Sequence, residues 1–357
     1  MSFIGTNLMT HTKKLSLITS IAILILVPGA LFAATAFLET PNPEKNKVVF
    51  DAQPLVMIAD DDTIYLGGSF TSVSQYVGEG VPLSTSTGLP VDDFAVFETE
   101  GGGGDDSTVY AVVPDGSGGW YVGGSFTRVN DTAWPNLAHV TADGELDTDF
   151  DPDVNGSVFA LTLSSDNQTL YAGGNFVQVN GDVVRSKIAA FDVADGTVIP
   201  GFDPDADSTV SALALSSDDE TLYAGGGFTD VNNGTTRNGL AAFNTTTGTV
   251  TAFDPEITNN VAAVTINALD IAESGDVLYV GGGFTHVNDG AEQRNDFAAF
   301  SLSDGSVTAL DPGVLGPPET IYAIAESSDG DKLYLGGNYR FSPDEIEATY
   351  TALKVVD

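Results

Sequence analysis

The chain has 357 residues, with 50 acidic against 12 basic side chains and a formal net charge of −38. A surface this acidic repels phosphate backbones and anionic lipid headgroups, so nucleic acid and membrane-surface partners are not expected. The absence of cysteine excludes disulfides and thiol chemistry, whereas 40 glycines and 42% hydrophobic residues predict a folded domain of short strands and tight turns. Two interpretations of the acidity stay open: solubility in a salty medium, or cation binding.

The chain begins with a basic and then an apolar segment. Lys13 and Lys14 precede an apolar run from residue 15 to about residue 38, and Ala34-Thr35-Ala36 has the small-x-small pattern that a signal peptidase accepts. We therefore predict that residues 1–36 are a secretory signal peptide or, because the run is long enough to span a bilayer, an uncleaved membrane anchor. Either reading places the rest of the protein outside the cytoplasm: extracellular, at the cell surface or periplasmic.

Residues 37–46 are predicted to be a linker, and residues 47–357 a single domain built on an internal repeat. A segment of the form Tyr-x-Gly-Gly-x-aromatic recurs six times, at intervals of 50 to 56 residues. The first glycines of the six pairs are Gly67, Gly123, Gly173, Gly225, Gly281 and Gly336. Since every copy has them, these glycines are predicted to serve packing, where backbone passes close to a neighbouring unit.

Each repeat resolves into four short strands separated by turn residues. In the fourth copy they read T-V-S-A-L-A-L, T-L-Y-A-G-G, G-L-A-A-F and T-V-T-A-F. Four strands in about fifty residues, with no helical period, predict an all-β fold: a six-bladed β-propeller of four-stranded antiparallel blades. The residues after Gly337 suffice for a third strand, from Tyr350 to Val355, but not for a fourth. Because Val48-Val49-Phe50-Asp51 resembles the fourth strands, an N-terminal strand is predicted to close the ring.

The repeat is similar to a known family. The pattern L-Y-x-G-G-x-F-T-x-V-N, then N-x-L-A, then D-G-x-L-D-T-x-F-D-P, resembles the delta-60 repeat of bacterial surface proteins of unknown function, and its best copy runs from Trp120 to Pro152. The resemblance covers about residues 48 to 357. It implies a propeller on an exported protein and transfers no catalytic residue. The first copy departs from the pattern at Ser74 and in the insertion Gly101 to Gly104.

Few residues in the repeats carry obvious chemistry. His139 and His286 lie in different copies without a spaced partner, so they are predicted to be solvated or packed residues and not metal ligands. Arg185, Arg237 and Arg294 follow their glycine pairs at 12 or 13 residues. The same position in three successive copies favours a buttress within each blade, paired with a nearby aspartate, over a cluster that grips a substrate carboxylate.

The aspartate-rich links between copies form the one constellation that predicts a cofactor. Alternate oxygens around a turn resemble the first half of a calcium loop, although the closing glutamate is absent. As ordinary acidic turns the links need no metal, so calcium and solvated acid stay open. The weak calcium candidates are Asp149, Asp151, Asp153, Asp203, Asp205 and Asp207.

Three functions remain open at this point. The leading prediction is a non-catalytic binding or scaffold propeller at the cell surface, which contacts a protein or glycan through loops at one mouth and touches the membrane only through an uncleaved N-terminal segment. The second is a glycan hydrolase or lyase with carboxylates in the central channel, for which Asp270 is the candidate because other copies have apolar or serine residues near there. The third is a calcium-stabilised adhesin.

Overall fold

The computed structural model describes residues 54–60, 63–68, 80–84, 94–99, 107–260, 262–314, 320–327, 329–339 and 350–356. Within these ranges the protein is all-β. The described part of the chain contains no helix, and so no helix that could cross a membrane. The predicted signal or anchor, the linker and the predicted closing strand at Val48–Asp51 lie outside the described residues.

The strands are short, and most come from the repeats. They are β1 (Pro54–Asp60), β2 (Thr63–Gly68), β3 (Gly80–Ser84), β4 (Phe97–Glu98), β5 (Val109–Pro114), β6 (Trp120–Gly124), β7 (Arg128–Val129), β8 (Thr132–Ala133), β9 (Leu137–Val140), β10 (Val158–Leu163), β11 (Thr169–Gly174), β12 (Gln178–Val179), β13 (Val183–Val184), β14 (Ile188–Asp192), β15 (Val210–Leu215), β16 (Thr221–Gly226), β17 (Asp230–Val231), β18 (Thr235–Thr236), β19 (Leu240–Asn244), β20 (Thr265–Ile271), β21 (Val277–Gly283), β22 (His286–Val287), β23 (Glu292–Gln293), β24 (Phe297–Ser301), β25 (Thr320–Glu326), β26 (Leu333–Tyr339) and β27 (Tyr350–Val356).

Each copy of the repeat forms one antiparallel sheet. In the described residues there are six such three-stranded sheets, ordered β1-β2-β3, β5-β6-β9, β10-β11-β14, β15-β16-β19, β20-β21-β24 and β25-β26-β27. The glycine-pair motif always lies on the middle strand of its sheet. The middle strands β6, β11, β16 and β21 are buried apart from residues at their ends. The predicted third strand at the C-terminal end is confirmed as β27. The architecture is thus propeller-like.

The two glycines of each pair make different close contacts. In the fourth copy, a Cβ added to Gly225 would lie 2.5 Å from Ile266 Cγ2 in the next sheet, and one added to Gly226 would collide with the Thr209 carbonyl oxygen of its own sheet. Next to this second contact, the register of the first strand shifts between Val210 and Ala212, which marks a β-bulge. The same pattern recurs around Gly123, Gly173 and Gly281. The predicted packing role of the glycines is confirmed at these positions.

Successive sheets share their hydrophobic cores. Tyr121 and Leu137 of one sheet pack with Val158 and Leu170 of the next, and this arrangement repeats along the chain. The first strands therefore lie side by side in the order β1, β5, β10, β15, β20 and β25. Among the described strands, β25 does not pack against β1 as the other neighbours pack, so the predicted ring closure is not seen here.

A fourth segment follows the third strand but pairs with it at a single point. In the fourth copy this is the bridge between Phe243 and Val250, and equivalent bridges join Val140 to Leu146, Phe191 to Val198 and Phe300 to Val307. Side chains of the same copy form hydrogen bonds with the outward-facing backbone groups of this fourth segment. Asn232 Oδ1 accepts a hydrogen bond from the Val250 N–H, and Arg237 Nη2 donates to the Thr251 carbonyl oxygen at 3.0 Å. Capping of this kind ends the ladder and protects the sheet edge from pairing with another chain.

A small two-stranded ribbon, here called the arm, projects between the second and third strands of a copy. The arms are β7–β8, β12–β13, β17–β18 and β22–β23, and β4 pairs with β7 as a third strand of the first arm. The tip of each arm is a left-handed turn that begins at Asn130, Asn180, Asn232 or Asn288, with φ between 43° and 53°. Asparagine tolerates this conformation better than other residues with a side chain. The arms place loop residues at one end of the sheets.

Candidate functional site

The three repeated arginines are buttresses inside their own sheets. Arg237 donates to the Thr236 and Thr251 carbonyl oxygens at 2.8 and 3.0 Å, and lies 3.0 Å from the Asp254 carboxylate. Arg185 likewise donates to backbone oxygens and lies 3.6 Å from Asp203, whereas Arg294 pairs with Glu292 at 3.5 Å. The predicted buttress is therefore confirmed, and the predicted aspartate partner is found in two of three cases.

The calcium candidates lie on extended links whose side chains alternate between core and solvent. Phe150, Pro152 and Val154 are buried while Asp149, Asp151 and Asp153 between them are exposed. In the second link Asp203 and Asp207 are exposed and Asp205 is half-buried, whereas Phe202, Pro204 and Ala206 are buried. Across the described residues, no group of three or more His, Asp or Glu side chains is arranged so that it could hold a metal ion. Calcium binding stays a prediction without support from the geometry.

Asp270 meets a second carboxylate at the joint between two sheets. It lies on β20, and its Oδ2 accepts a hydrogen bond at 2.9 Å from the backbone N–H of Glu326, the last residue of β25. The Glu326 carboxylate accepts hydrogen bonds from the Tyr279 hydroxyl at 2.7 Å and from the Glu273 N–H at 2.6 Å. We call Asp270 and Glu326 the carboxyl pair.

The carboxyl pair has unusual electrostatics. Burial, together with the nearby Glu326 and Glu273 carboxylates, raises the pKa of Asp270 from its ordinary value of 3.8 to about 7. Burial and the hydrogen bond to Glu326 also raise the pKa of Tyr279. Asp270 therefore holds a proton in the folded protein at pH values where an exposed aspartate is fully ionised.

A histidine cluster lies in the sheet β5-β6-β9. His139 Nδ1 is 2.8 Å from Asp147 Oδ2, His139 Nε2 is 3.1 Å from Asp115 Oδ2, and the imidazole stacks on the Tyr121 ring at 4.5 Å. Burial, then the two aspartates, raise the pKa of Tyr121 to about 12. Sequence reasoning predicted a solvated or packed histidine and missed its carboxylate partners. Both ring nitrogens form hydrogen bonds with aspartate side chains of the same copy.

The arms enclose a cleft of different character. It has a volume of about 270 Å³, lies between the arms β12–β13 and β17–β18, and is lined by Val177, Lys187, Asp205, Asp207 and Asp230 among others. We call it the arm cleft. Two of the predicted calcium candidates, Asp205 and Asp207, therefore lie at this cleft, and the other four do not line it.

Exposed apolar side chains mark the same arm. Val177, Val183 and Val184 are 45%, 37% and 62% exposed, and they are the large hydrophobic side chains that the described residues leave exposed. Val177 lines the arm cleft itself, and Val183 and Val184 form β13, the strand paired with β12. Apolar surface gathered at one place on an acidic protein is typical of a binding surface. The arm cleft is the candidate functional site.

Comparison with known proteins agrees with the fold class. A family model described as a domain of unknown function (DUF5122) beta-propeller matches residues 114–150, which contain β6 to β9. This match covers part of one repeat and supports a β-propeller. No curated protein matches the chain.

Solved propeller structures are similar to the chain only at low identity. The WD40 beta propeller domain of Doa1 is 15% identical, with 80% of this chain and 86% of that chain covered and a TM-score of 0.44. The extracellular domain of BT4673 from B. thetaiotaomicron is 13% identical, with 90% of this chain and 32% of that chain covered and a TM-score of 0.45. Neither assigns a ligand or an activity to this chain.

Proposed function

We propose that this chain is an exported, non-catalytic binding or scaffold module at the cell surface. In this proposal residues 47–357 form a six-bladed propeller of the delta-60 repeat type, with four strands to each blade and an N-terminal strand that closes the ring. Six described sheets, single-point pairing of a fourth segment in four of them, and the match to a propeller family model support this architecture. Its ligand is a protein or a glycan.

One observation carries the binding function: the exposed large hydrophobic side chains of the described residues all lie on one arm, and one of them lines the arm cleft. Burying such side chains against a ligand releases about 25 cal/mol for each Å² of apolar surface. Binding residues are usually found on loops that a rigid scaffold positions. In this chain the buried sheets are the scaffold, and residues that depart from the repeat lie on loops at one end of them.

The test is a binding screen with the full chain immobilised. The probes are a panel of purified cell-surface proteins and a panel of polysaccharides, and surface plasmon resonance records each response. We expect saturable binding to at least one probe, which is then recovered chemically unchanged. A correctly folded chain that binds no probe on either panel contradicts the proposed function.

A second candidate function is glycan hydrolysis, because the carboxyl pair joins two carboxylates and Asp270 retains a proton near neutral pH. Against it, both oxygens of Glu326 already accept hydrogen bonds from the protein. Turnover on the polysaccharide panel that disappears in Asp270→Asn would establish the enzyme, and its absence at pH 5, 6, 7 and 8 leaves the carboxyl pair as a structural joint.

A further inference from the structure

The acidic wall of the arm cleft departs from the repeat. Asp207 on the link and Asp230 on the arm β17–β18 correspond to Asn155 and Gln178 one sheet earlier, where the same link meets the same place on the arm. One sheet later the corresponding residues are Thr258 and His286. The packing that all copies share therefore does not require carboxylates at these two positions. With Asp205, these residues give this joint three carboxylates where the preceding joint has one.

The opposite wall departs as well. Val177 stands where the second, fourth and fifth copies have Thr127, Thr229 and Thr285. Lys187 has a left-handed backbone, with φ of 69°, at a position where the other sheets have Asn136, Gly239 and Asp296 with similar φ values. The backbone geometry is thus common to the sheets, and only the side chains differ. The arm cleft is the joint at which apolar and acidic departures face each other.

The charges of the arm cleft favour a cation. Burial raises the pKa of Asp207, but hydrogen bonds from the Thr229 N–H and hydroxyl, both at 2.8 Å, outweigh it and the pKa is lowered, so Asp207 is ionised at neutral pH. No described residue donates a hydrogen bond to the Asp205 carboxylate. The Lys187 ammonium donates to the Asn175 oxygen at 3.0 Å, which holds it at one wall. Three carboxylates against one ammonium leave the cleft with a net negative charge.

We propose that the arm cleft binds a basic segment of a partner protein, with a lysine or arginine side chain among Asp205, Asp207 and Asp230 and a neighbouring apolar side chain against Val177. This proposal rests on the proposed binding function and names its partner. The carboxylates line the cleft without converging on one point that could hold a metal ion, which suits a cationic group with several donors. The net charge of −38 steers basic partners toward the protein.

The test uses variants that install the residues of neighbouring sheets, so that the fold is kept. Asp207→Asn with Asp230→Gln, called the acidic-wall variant, removes two of the three carboxylates of the acidic wall, and Val177→Thr removes the apolar contact. The matched control is Asp153→Asn with Glu256→Gln, which removes two charges from the links on either side of the cleft. The probe is a capped six-residue peptide of alternating lysine and leucine, measured by fluorescence anisotropy at physiological ionic strength.

We expect the acidic-wall variant to bind the peptide at least about tenfold more weakly, because it loses two of the three carboxylates that face the cation. Val177→Thr is expected to weaken binding about threefold, the contribution of one buried methyl group. The control is expected to change the affinity less than about twofold, since exposed charges at a distance are screened. A peptide with glutamate in place of lysine is expected not to bind.

Equal losses in the acidic-wall variant and the control would overturn the proposal, because the peptide would then respond only to overall charge. Absence of peptide binding, while a protein or glycan from the binding screen binds all variants equally, would also overturn it and leave the proposed function standing. A ligand that loses affinity in the cleft variants but is a neutral glycan would assign the cleft to a different partner. If no probe binds in either experiment, the proposed function and this inference fail together.

Discussion

Replacing each of three adjacent glycines in the fourth copy by alanine tests how the sheets are held together. A Cβ at Gly225 would lie 2.5 Å from Ile266 Cγ2, which is closer than carbon atoms approach in folded proteins. One sheet must move away from the next, and overpacking of this kind costs about 1–3 kcal/mol. At Gly226 the obstacle is the Thr209 backbone oxygen, which has no rotamer to change, so we expect a cost of at least about 3 kcal/mol.

Gly227 supplies the matched control, because the nearest atom to its added Cβ is 4.0 Å away and four of the five other copies have serine or asparagine there. Gly227→Ala is expected to leave stability unchanged or to raise it by about 0.5 kcal/mol through loss of chain entropy in the unfolded state. Equilibrium urea unfolding of the full chain, followed by intrinsic fluorescence, gives the three free energies of unfolding. If Gly225→Ala unfolds at the urea concentration of Gly227→Ala, close contact between successive sheets does not explain the repeated glycine.

Three further predictions concern charge. The pKa of Asp270 is about 7 in the folded protein and 3.8 for an exposed aspartate. As the pH rises, Asp270 therefore loses its proton in the unfolded chain at a lower pH than in the folded protein. The stability of the native protein should therefore fall between about pH 4 and pH 7, by the order of 3 kcal/mol, and Asp270→Asn should remove this loss in urea titrations at pH 5 and pH 8. Arg237→Gln should cost about 2–3 kcal/mol by orphaning partly buried carbonyl oxygens, whereas Asp254→Asn should cost less than about 1 kcal/mol in the same assay. Thermal midpoints measured with EDTA, calcium and magnesium at fixed ionic strength should coincide, because no group of described side chains is arranged to hold a metal ion. A calcium site would contradict this, since calcium at a hundred times its dissociation constant would add about 2.7 kcal/mol to the free energy of unfolding.

The repeat pattern predicts what every copy shares. In the fourth copy three of the four predicted strands appear at their expected places as β15, β16 and β19. The β-branched and alternating residues also predict a fourth strand, but the pattern does not show that Asn232 and Arg237 cap its outer backbone groups and leave one bridge. Those caps come from an arm that the sequence indicated only as turn chemistry.

Contacts between copies were harder to predict than contacts within them. Asp270 was noticed as a departure, but its neighbour Glu326 lies 56 residues away, in the next sheet. The partners of His139 lie 24 residues before it and 8 residues after it, outside any local motif. The repeat pattern identifies the residues that all copies share. It therefore does not predict which unshared residues face each other across the joint between two sheets.

Residues that the copies do not share are found at two places, the carboxyl pair and the arm cleft. The two places differ in whether protein groups already contact these residues, and this decides which place is suited to a ligand. In the carboxyl pair, Glu326 receives hydrogen bonds on both oxygens and Asp270 receives one from the neighbouring backbone, so a ligand would have to displace protein groups. In the arm cleft, the unshared Val177 is 45% exposed, and the unshared Asp207 and Asp230 lie beside Asp205, whose carboxylate has no described donor. A ligand entering the cleft can therefore gain both charge pairing and apolar contact without breaking the packing of the sheets. Function in a repeat protein of this kind is best sought where departures from the repeat line an open cleft.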